Sequence, residues 1–465
     1  MDRLNSGPVW CPSSHCPRRP SRNGGPIPLA TGWGALNGAW SPDRHCPGIG
    51  GLPCPPGITS MWMGGVRSSS RGVDMRALLH LETFEVSALF ASVSILRSII
   101  MTQDSNPSFV LKAVKDVAFE DRPVPALQDP WDVRVQIAQT GICGSDVHYW
   151  QRGRIGDFVL TSPIVLGHES SGTVMEVGSA VKNLKVGDRV AIEPGIPCRH
   201  CEYCHSGSYN LCPNDRFAAT PPHDGTLSKY YITQSDFCYP IPDHMNMEEG
   251  AMVEPVAVAC QITKVGNVRA NQKIVVFGCG PIGLLCQAVS KAYGAKKVIG
   301  VDISKSRAEF AKTFGADDVF VPPPPPADVS PEEWSEKLAK IIKEQFDLGE
   351  GPDVVLEATG AQPCIQTGIH LTKKGGTYVQ AGMGRENVMF PITTACIRDL
   401  TIRGSIRYST GCYSTAVDLI ASGKVDVKRL ITNRYTFEEA EQAFELVRQG
   451  KESVIKVIIE GYQGR

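Results

Sequence analysis

The sequence has no excess of charge of either sign. Its 47 Lys and Arg residues nearly balance its 48 Asp and Glu residues, and the formal net charge is −1. A strong basic balance is what attracts nucleic acid and anionic membrane surfaces, and it is missing here. We therefore expect neither nucleic acid nor a membrane among the binding partners.

The sequence also lacks an uncharged apolar run long enough to cross a bilayer. The apolar stretch 77–100 is long enough, but it contains His80, Glu82, Glu85 and Arg97, which are costly in hydrocarbon. It also begins too far from Met1 to be the core of a signal peptide. Both features argue against a membrane-bound or secreted protein.

The 16 cysteines do not have the spacing of a disulfide-bonded framework. Cys11, Cys16, Cys46 and Cys54 lie in the first hundred residues, and the other twelve are scattered except for one tight cluster at 198–212. This usage suits a reducing compartment better than an oxidising one. We therefore expect a cytoplasmic protein.

Residues 1–105 differ in composition from the rest of the chain. The segment 11–34, "CPSSHCPRRPSRNGGPIPLATGWG", is rich in Pro, Gly, Ser and Arg and has no hydrophobic period, so we do not expect it to pack. We interpret 1–105 as a disordered or non-native extension. An over-extended start site is favoured, because "MTQDSNPSFVLKAVKDVAFEDRP" from Met101 resembles the opening of a folded domain. A native disordered tail and a cryptic targeting segment are the alternatives.

The remainder of the chain is β-rich up to about residue 256 and changes its pattern at Gln272. Over 106–256, short β-rich runs such as "DVRVQIAQTGIC" and "GDRVAIEP" alternate with Gly and Pro, which predicts a barrel-like or sandwich-like domain. Over 257–403, six apolar strands alternate with helical stretches, as a doubly wound parallel sheet requires. Residues 404–465 return to helix and strand outside that sheet. The predicted fold class is α/β, with a nucleotide-binding domain inserted into a discontinuous β-rich domain.

The segment after the first of these strands has the pattern of a dinucleotide-binding turn. "GCGPIG" at 278–283 follows an apolar β run and opens a helix, and Asp302 ends the next strand. In this context the helix N-terminus is predicted to bind a pyrophosphate, whereas an ordinary glycine turn is the alternative. Asp302 can accept both ribose hydroxyls of NAD and repels the 2′-phosphate of NADP, although a helix N-cap would also use an Asp. The predicted cofactor-binding residues are Gly278, Gly280, Pro281, Ile282, Gly283, Asp302 and Arg307.

The cluster "CRHCEYCHSGSYNLC" at 198–212 has the spacing of a closed metal site. Its four cysteines are Cys198, Cys201, Cys204 and Cys212. Four thiolates complete a tetrahedron around zinc and leave no position for water or substrate, so this site is predicted to be structural. Disulfide pairing is the alternative, and it fits a reducing compartment less well.

A second set of metal ligands comes from separate loops. Cys143 lies in "GICGSDVHYW", and His168 and Glu169 lie in "VLGHESSGTVMEVG". Three protein ligands of these types with a vacant fourth position are typical of a catalytic zinc. Glu254, in "AMVEPVAVA", can bind either the metal or its water, so the choice between Glu169 and Glu254 as the ligand stays open. A lone Cys or His usually belongs to a core or a surface, and it is the combined pattern G-H-E-x2-G-x5-G that favours a site.

Taken together, these motifs make the sequence similar to the zinc-containing medium-chain dehydrogenases over roughly 106–465. The polyol branch of that family is matched by "GICGSDVHYW", "VLGHES", "YNLCP", "FAATPPHDGTL", "GAMVEPVAVA" and "GGTYVQAGMG". The resemblance implies a GroES-like catalytic domain around a Rossmann domain, two Zn²⁺ ions per chain, NAD, and a homo-oligomer (dimer or tetramer). It also implies a linear polyol substrate, and oxidation of xylitol at C2 to D-xylulose is the expected reaction.

The resemblance further implies roles around the reacting alcohol. Zinc acts as a Lewis acid on the alcohol oxygen, and the hydride passes to NAD. The proton leaves through water, through Glu254, or through a relay of Ser145 and His148, for which ordinary loop residues are the alternative. Arg407 has the alternative of a salt bridge between domains. The substrate residues implied by the resemblance are Tyr149, Phe217, Arg407 and Tyr408.

Three other functions stand as alternatives. The first is a related enzyme that prefers sorbitol or L-arabinitol to xylitol. The second is a non-catalytic protein whose zinc lobe binds nucleic acid or a protein partner, which the second ligand set, the glycine loop and the lack of basic runs disfavour. The third is a zinc-free reductase of the same fold, which Cys143, His168 and Glu169 disfavour.

Overall fold

The computed structural model describes residues 105–464. The interpretation of 1–105 as an extension therefore falls outside the described residues, except for Ser105, which begins the first strand. None of the helices in the described range is long and apolar enough to span a bilayer.

The described chain contains strands and helices in an order that separates two kinds of sheet. The strands are β1 (Ser105–Ala113), β2 (Asp116–Pro123), β3 (Asp132–Gly141), β4 (Arg154–Ile155), β5 (Phe158–Val159), β6 (Ile164–Val165), β7 (Glu169–Val177), β8 (Arg189–Ile192), β9 (Gly195–Ile196), β10 (Arg216–Phe217), β11 (Tyr230–Gln234), β12 (Cys238–Pro240), β13 (Lys273–Phe277), β14 (Lys297–Val301), β15 (Asp318–Phe320), β16 (Val354–Glu357), β17 (Thr377–Gln380), β18 (Thr401–Gly404), β19 (Ile431–Tyr435) and β20 (Lys456–Glu460). The α-helices are α1 (Gly144–Arg152), α2 (Glu202–His205), α3 (Met247–Ala251), α4 (Val253–Val265), α5 (Pro281–Ala292), α6 (Lys305–Phe314), α7 (Pro331–Gln345), α8 (Gln362–Leu371), α9 (Ile392–Ile397), α10 (Cys412–Ala421) and α11 (Ala440–Gln449).

A seven-stranded sheet forms the centre of the β-rich part. Its order is β12-β8-β7-β3-β20-β19, and β11 also pairs with β3. β20 comes from the end of the chain and runs antiparallel to β3, with Ile458 opposite Gly141. The C-terminal segment is therefore built into the same sheet as the strands that precede the glycine loop.

The second sheet has six strands in the order β15-β14-β13-β16-β17-β18, and every pairing in it is parallel. Strand β13 shows why its sequence, "KIVVF", is almost wholly apolar. Ile274 and Val276 belong to the core on one face, and Val275 and Phe277 belong to the core on the other. A parallel sheet that is covered on both faces needs such continuous apolar strands. The α/β class and the doubly wound sheet predicted from the sequence are confirmed.

The two parts are joined by a continuous helix. The predicted domain boundary at 256/257 falls inside α4, which packs against α5 and α10. The change of pattern in the sequence is visible only after α4, at Gln272, because a buried helix carries no boundary signal of its own. At the other end, residue 404 is the last residue of β18, after which the chain leaves the parallel sheet.

Candidate active site

Cys143, His168 and Glu169 come together where two paired strands end. Cys143 lies between the end of β3 and the start of α1, and Glu169 begins β7, where it pairs with Gly141 of β3. One possible ligand atom from each of the three residues lies within 4.8 Å of the other two. A thiolate, an imidazole and a carboxylate at this spacing fit a single zinc ion.

Asp146 organises this ligand set, although the sequence analysis did not identify it. Its side chain is buried, and Oδ1 lies 3.2 Å from His168 Nδ1 and accepts the Gly167 N–H at 3.1 Å. Its Oδ2 accepts the Cys143 N–H at 3.3 Å. Because Asp146 holds Nδ1 of His168, Nε2 is the nitrogen left for a metal, as is usual for metal-binding histidines.

Glu169 is paired with a buried cation from the end of the chain. Lys456 Nζ lies 2.8 Å from Oε1 and 2.6 Å from Oε2 of Glu169, and it also donates to the Ile142 carbonyl at 3.2 Å. The two side chains are 4% and 1% exposed, so neither charge is solvated by bulk water. Lys456 reaches the site because β20 pairs with β3, and the sequence analysis did not identify it.

Glu254 lies in the first turn of α4, close to the ligand set. Burial raises the pKa of Glu254 to about 7, while the charge of His168 lowers it and that of Glu169 raises it. The buried hydroxyl of Tyr408 makes no hydrogen bond of good geometry, and Glu254 is the carboxylate within its reach. Glu254 is not one of the three clustered ligands, so the geometry groups Glu169 rather than Glu254 with Cys143 and His168.

The predicted substrate residues border the same place. The Phe217 ring is centred 5.7 Å from the His168 ring and 6.5 Å from the Tyr408 ring. The Arg407 guanidinium lies 4.0 Å from the centre of the Phe217 ring and forms an ion pair with Asp215, with Nη1 2.6 Å from Oδ2. The structure thus brings these side chains together, and Arg407 also forms a salt bridge, although within the predicted β-rich domain and not between domains.

The remaining predicted residues of this site lie on α1. Burial raises the pKa of Tyr149, and the hydroxyl of Thr220 and the charge of Arg407 act against that rise. Burial lowers the pKa of His148, which is half-buried like Ser145 in the same helix. Tyr149 therefore faces the Arg407 side of the site, whereas the described structure has no hydrogen bond between Ser145 and His148.

The glycine loop joins β13 to α5. Gly278 has φ +97°, a backbone conformation that favours glycine. A Cβ on Gly283 would lie 1.9 Å from the Gly278 carbonyl oxygen, so packing requires glycine there. A Cβ on Gly280, by contrast, would meet nothing within 4 Å. Pro281 begins the helix, and Gly280, Pro281 and Ile282 are partly exposed, so the space at Gly280 is open to a phosphate. These features fit a dinucleotide.

Asp302 is held against this loop by backbone donors. Oδ2 accepts the Cys279 N–H at 2.7 Å, and Oδ1 accepts the Ser304 N–H at 2.8 Å. The carboxylate thus has a fixed orientation beside the glycine turn. Arg307 lies on α6 and donates to the Lys451 carbonyl at 3.4 Å, which occupies one end of its guanidinium.

The four cysteines at 198–212 form a separate cluster. Their sulfur atoms all lie within 4.8 Å of one another, and the twelve cysteines of the described residues are all free. Cys198 Sγ accepts the His200 N–H at 3.5 Å, and Cys212 Sγ accepts the Cys198 N–H at 3.3 Å, which are bonds that stabilise thiolates. Four clustered thiols without disulfides fit a tetrahedral zinc ion.

Two family profiles match the chain. One, described as "Alcohol dehydrogenase GroES-like domain", matches residues 129–243, and the other, "Zinc-binding dehydrogenase", matches residues 281–422. The first contains Cys143, His168, Glu169 and the four-cysteine cluster, and the second begins at Pro281 in the glycine loop.

Named relatives match about three quarters of the chain. A probable D-xylulose reductase A from Aspergillus clavatus is 55% identical over 360 residues, which cover 77% of this chain and 98% of the relative. A D-xylulose reductase A from Aspergillus oryzae is 56% identical over 356 residues, covering 77% and 97%. Among solved structures, a zinc-binding dehydrogenase from Sinorhizobium meliloti bound to NADP is 27% identical with a TM-score of 0.67, covering 77% of this chain and all of that one.

These matches include both the candidate metal ligands and the end of the glycine loop. The profiles cover the metal ligands and the helix after the glycine loop, and the Aspergillus relatives match 77% of this chain and nearly all of their own length. The GroES-like domain and the resemblance to zinc-containing dehydrogenases, both expected from the sequence, are confirmed. The chain belongs to the zinc-binding dehydrogenases that carry an alcohol dehydrogenase GroES-like domain.

Proposed function

We propose that this protein is a D-xylulose reductase, which interconverts xylitol and D-xylulose with NAD. The proposal is supported by relatives of that name at 55% and 56% identity over nearly their full length. The single observation that carries it in the structure is the position of Arg407 and Phe217 beside His168, because a polyol needs polar partners next to the reacting carbon.

The metal assignments follow from the donor sets. Cys143, His168 and Glu169 would hold one zinc ion, and the four cysteines at 198–212 would hold a second. The first zinc, when bound, supplies Lewis-acid polarisation of the alcohol or carbonyl oxygen. The closed set of four thiolates has a structural role. The zinc count expected is two per chain.

The protein's own residues orient the site and move a proton. Asp146 fixes the ring of His168, and Lys456 fixes the carboxylate of Glu169. Glu254, with its pKa raised to about 7 by burial, can accept a proton at its carboxylate near neutral pH and return it in the reverse reaction. A relay of Ser145 and His148 is the other route for the proton.

The substrate and cofactor assignments complete the proposal. Tyr149, Phe217, Arg407 and Tyr408 line the polyol side of the site, with the Phe217 ring as its apolar wall. The ribose hydroxyls of NAD donate to Asp302. The rest of the dinucleotide is bound by Gly278, Gly280, Pro281, Ile282, Gly283 and Arg307. The fixed, unpaired charge of Asp302 favours NAD over NADP.

The domain and assembly assignments belong to the same proposal. A GroES-like catalytic domain would comprise 106–256 and 404–465, a Rossmann domain 257–403, and a non-native or disordered extension 1–105, in a cytoplasmic homo-oligomer. Strand β18 supports the oligomer, because it is an edge of the parallel sheet and all four of its residues are exposed. Among these four residues Ile402 is a large apolar one, and Ile406, two residues after the strand, is exposed too. A second copy of the chain can therefore pair with this edge. Light scattering on the purified chain tests for a dimer or tetramer.

The test of the reaction is a comparison of initial rates. Xylitol, sorbitol, L-arabinitol and 2-propanol are each measured with NAD and with NADP, and zinc is counted per chain. The proposal predicts the highest kcat/KM for xylitol with NAD, the product D-xylulose, and very low activity on 2-propanol, which leaves the polar partners unpaired. If sorbitol or L-arabinitol is preferred, or if 2-propanol matches xylitol, the xylitol assignment is wrong. One zinc and no turnover would contradict the enzyme assignment.

A further inference from the structure

The segment 405–410, which carries Arg407 and Tyr408, is held by the four-cysteine lobe. Here the lobe means residues 198–215, the cysteine cluster and the three residues that follow it. Asn210 Nδ2 donates to the Ile406 carbonyl at 3.0 Å, and Thr410 Oγ1 donates to the Gly207 carbonyl at 3.0 Å. The lobe therefore contacts the segment on both sides of Arg407, at a separation of about two hundred residues in the sequence.

Asp215 makes the third contact, and it reaches the side chain of Arg407 itself. Asp215 N–H donates to the Cys212 carbonyl at 3.2 Å, which ties it to the last cysteine of the lobe. Its Oδ2 lies 2.6 Å from Arg407 Nη1, and the two side chains are 6% and 16% exposed. A charge-assisted hydrogen bond shielded from water in this way restricts the guanidinium to one direction. That direction places it on the Phe217 ring, next to His168.

The backbone conformation of Arg407 indicates that this orientation costs conformational energy. Its φ is +51°, in the left-handed region that residues with a Cβ seldom adopt. Such a conformation persists only where the surrounding structure determines it, and it is concentrated at ligand-binding sites. The contacts of Asn210, Thr410 and Asp215 are the surroundings that hold it.

We propose that Asp215 is a positioning residue for polyol recognition: the four-cysteine lobe, through Asp215 and Asn210, sets the direction in which Arg407 meets a substrate hydroxyl. The lobe then does more than stabilise the fold, because its geometry contributes to substrate affinity. This inference rests on the proposed function, since it takes Arg407 to be a substrate residue.

The test compares two Asp→Asn substitutions in and beside the lobe. Asp215→Asn keeps the size of the side chain and removes the charge that holds Arg407. Asp236→Asn is the matched control, because Asp236 also pairs with an arginine, Arg199, with both oxygens at 2.8 Å, but is exposed and does not contact 405–410. Asn210→Ala, which removes one hydrogen bond to Ile406, is a milder variant that keeps the question answerable if Asp215→Asn folds poorly.

The expected result is a change in KM without a change in metal content. For Asp215→Asn, KM for xylitol rises roughly tenfold or more, the range of one charge-assisted hydrogen bond, and kcat falls less. Asn210→Ala changes KM in the same direction by a smaller factor, and Asp236→Asn leaves it unchanged. The zinc count, the melting temperature and the dissociation constant for NADH in Asp215→Asn stay within error of the Asp236→Asn control.

A double-mutant cycle with Arg407→Ala tests whether Asp215 acts through Arg407. If it does, adding Asp215→Asn to Arg407→Ala causes no further rise in KM. Additive effects, an unchanged KM in Asp215→Asn, or a loss of zinc that accounts for the change would each overturn the proposal. Failure of the proposed function is seen separately, as a wild-type enzyme that does not favour xylitol. In that case the same cycle is measured with whichever alcohol the wild type prefers.

Discussion

Removal of the Lys456 cation is expected to make folding depend on zinc. In Lys456→Met, the Glu169 carboxylate stays 1% exposed but loses the ammonium group 2.6 Å away. Leaving one charge of a buried pair without its partner costs about 3–5 kcal/mol of folding free energy. A zinc ion bound by Glu169 supplies positive charge in the same place. We therefore expect the full loss of stability only when zinc has been removed.

The assay is thermal or urea unfolding of wild type and Lys456→Met, each with zinc present and after chelation. Chelation also empties the four-cysteine site, and the wild-type protein treated alike corrects for that loss. Arg434→Met is the matched control, because Arg434 lies on the neighbouring strand β19 and pairs with Glu248 at 2.9 Å, but is 55% exposed. An exposed ion pair of this kind contributes less than about 1 kcal/mol, so Arg434→Met should change little in either condition.

Two outcomes would refute the reasoning. If chelated Lys456→Met is as stable as the chelated wild type, Glu169 does not depend on Lys456 for compensation of its charge. If Lys456→Met is destabilised equally with and without zinc, the metal does not compensate Glu169. Glu254 would then become the carboxylate to test as the zinc ligand, by metal content of Glu254→Gln and Glu169→Gln.

The other predictions concern the two metal sites, one buried carboxylate and the cofactor. Cys201→Ser should lower the melting temperature and leave kcat nearly unchanged. Cys143→Ser should abolish turnover and retain NADH binding, which fluorescence titration can measure. Burial raises the pKa of Glu193 to about 7 from 4.5, so its ionisation costs up to about 3 kcal/mol as pH rises through that window. Glu193→Gln should therefore melt higher than wild type above pH 7 and not near pH 4.5; equal pH profiles would contradict this. Replacing Asp302 and placing Arg at Ile303, which is 85% exposed, should narrow or reverse the NAD preference in kcat/KM, and a wild type with equal rates on both cofactors would contradict the assignment.

The parts of the site that depend on short spacings could be predicted from the sequence. The glycine loop is identifiable because a strand, a turn and a helix follow one another within a few residues, and Asp302 directly follows the next strand, which ends at Val301. The four cysteines lie within fifteen residues, so their spacing alone indicated a closed site. The strands and helices that carry both sites are where the sequence pattern puts them.

The partners of those residues could not be predicted, for two different physical reasons. Asp146 lies three residues after Cys143 in the first turn of α1, where an acidic residue is equally well explained as an ordinary helix-capping group. Lys456 reaches Glu169 only because β20 pairs with β3, and Asp215 reaches Arg407 only because the lobe folds towards the segment 405–410. Their contacts with Glu169 and Arg407 span 287 and 192 residues. A single sequence contains no local signal for pairs at such distances.

The sequence separation of Glu169 and Lys456 also fixes when the site can form during synthesis. At about 5–20 residues per second, the ribosome needs roughly 15–60 s to add the 287 residues between them. Until then the glutamate has no ammonium partner, and strand β20 is missing from its place beside β3. The four-cysteine cluster, by contrast, is complete once residue 212 has been added. The four-cysteine cluster can therefore close around a metal ion long before the strand that carries Lys456 has been made, whereas the buried pair of Glu169 and Lys456 forms only at the end of synthesis.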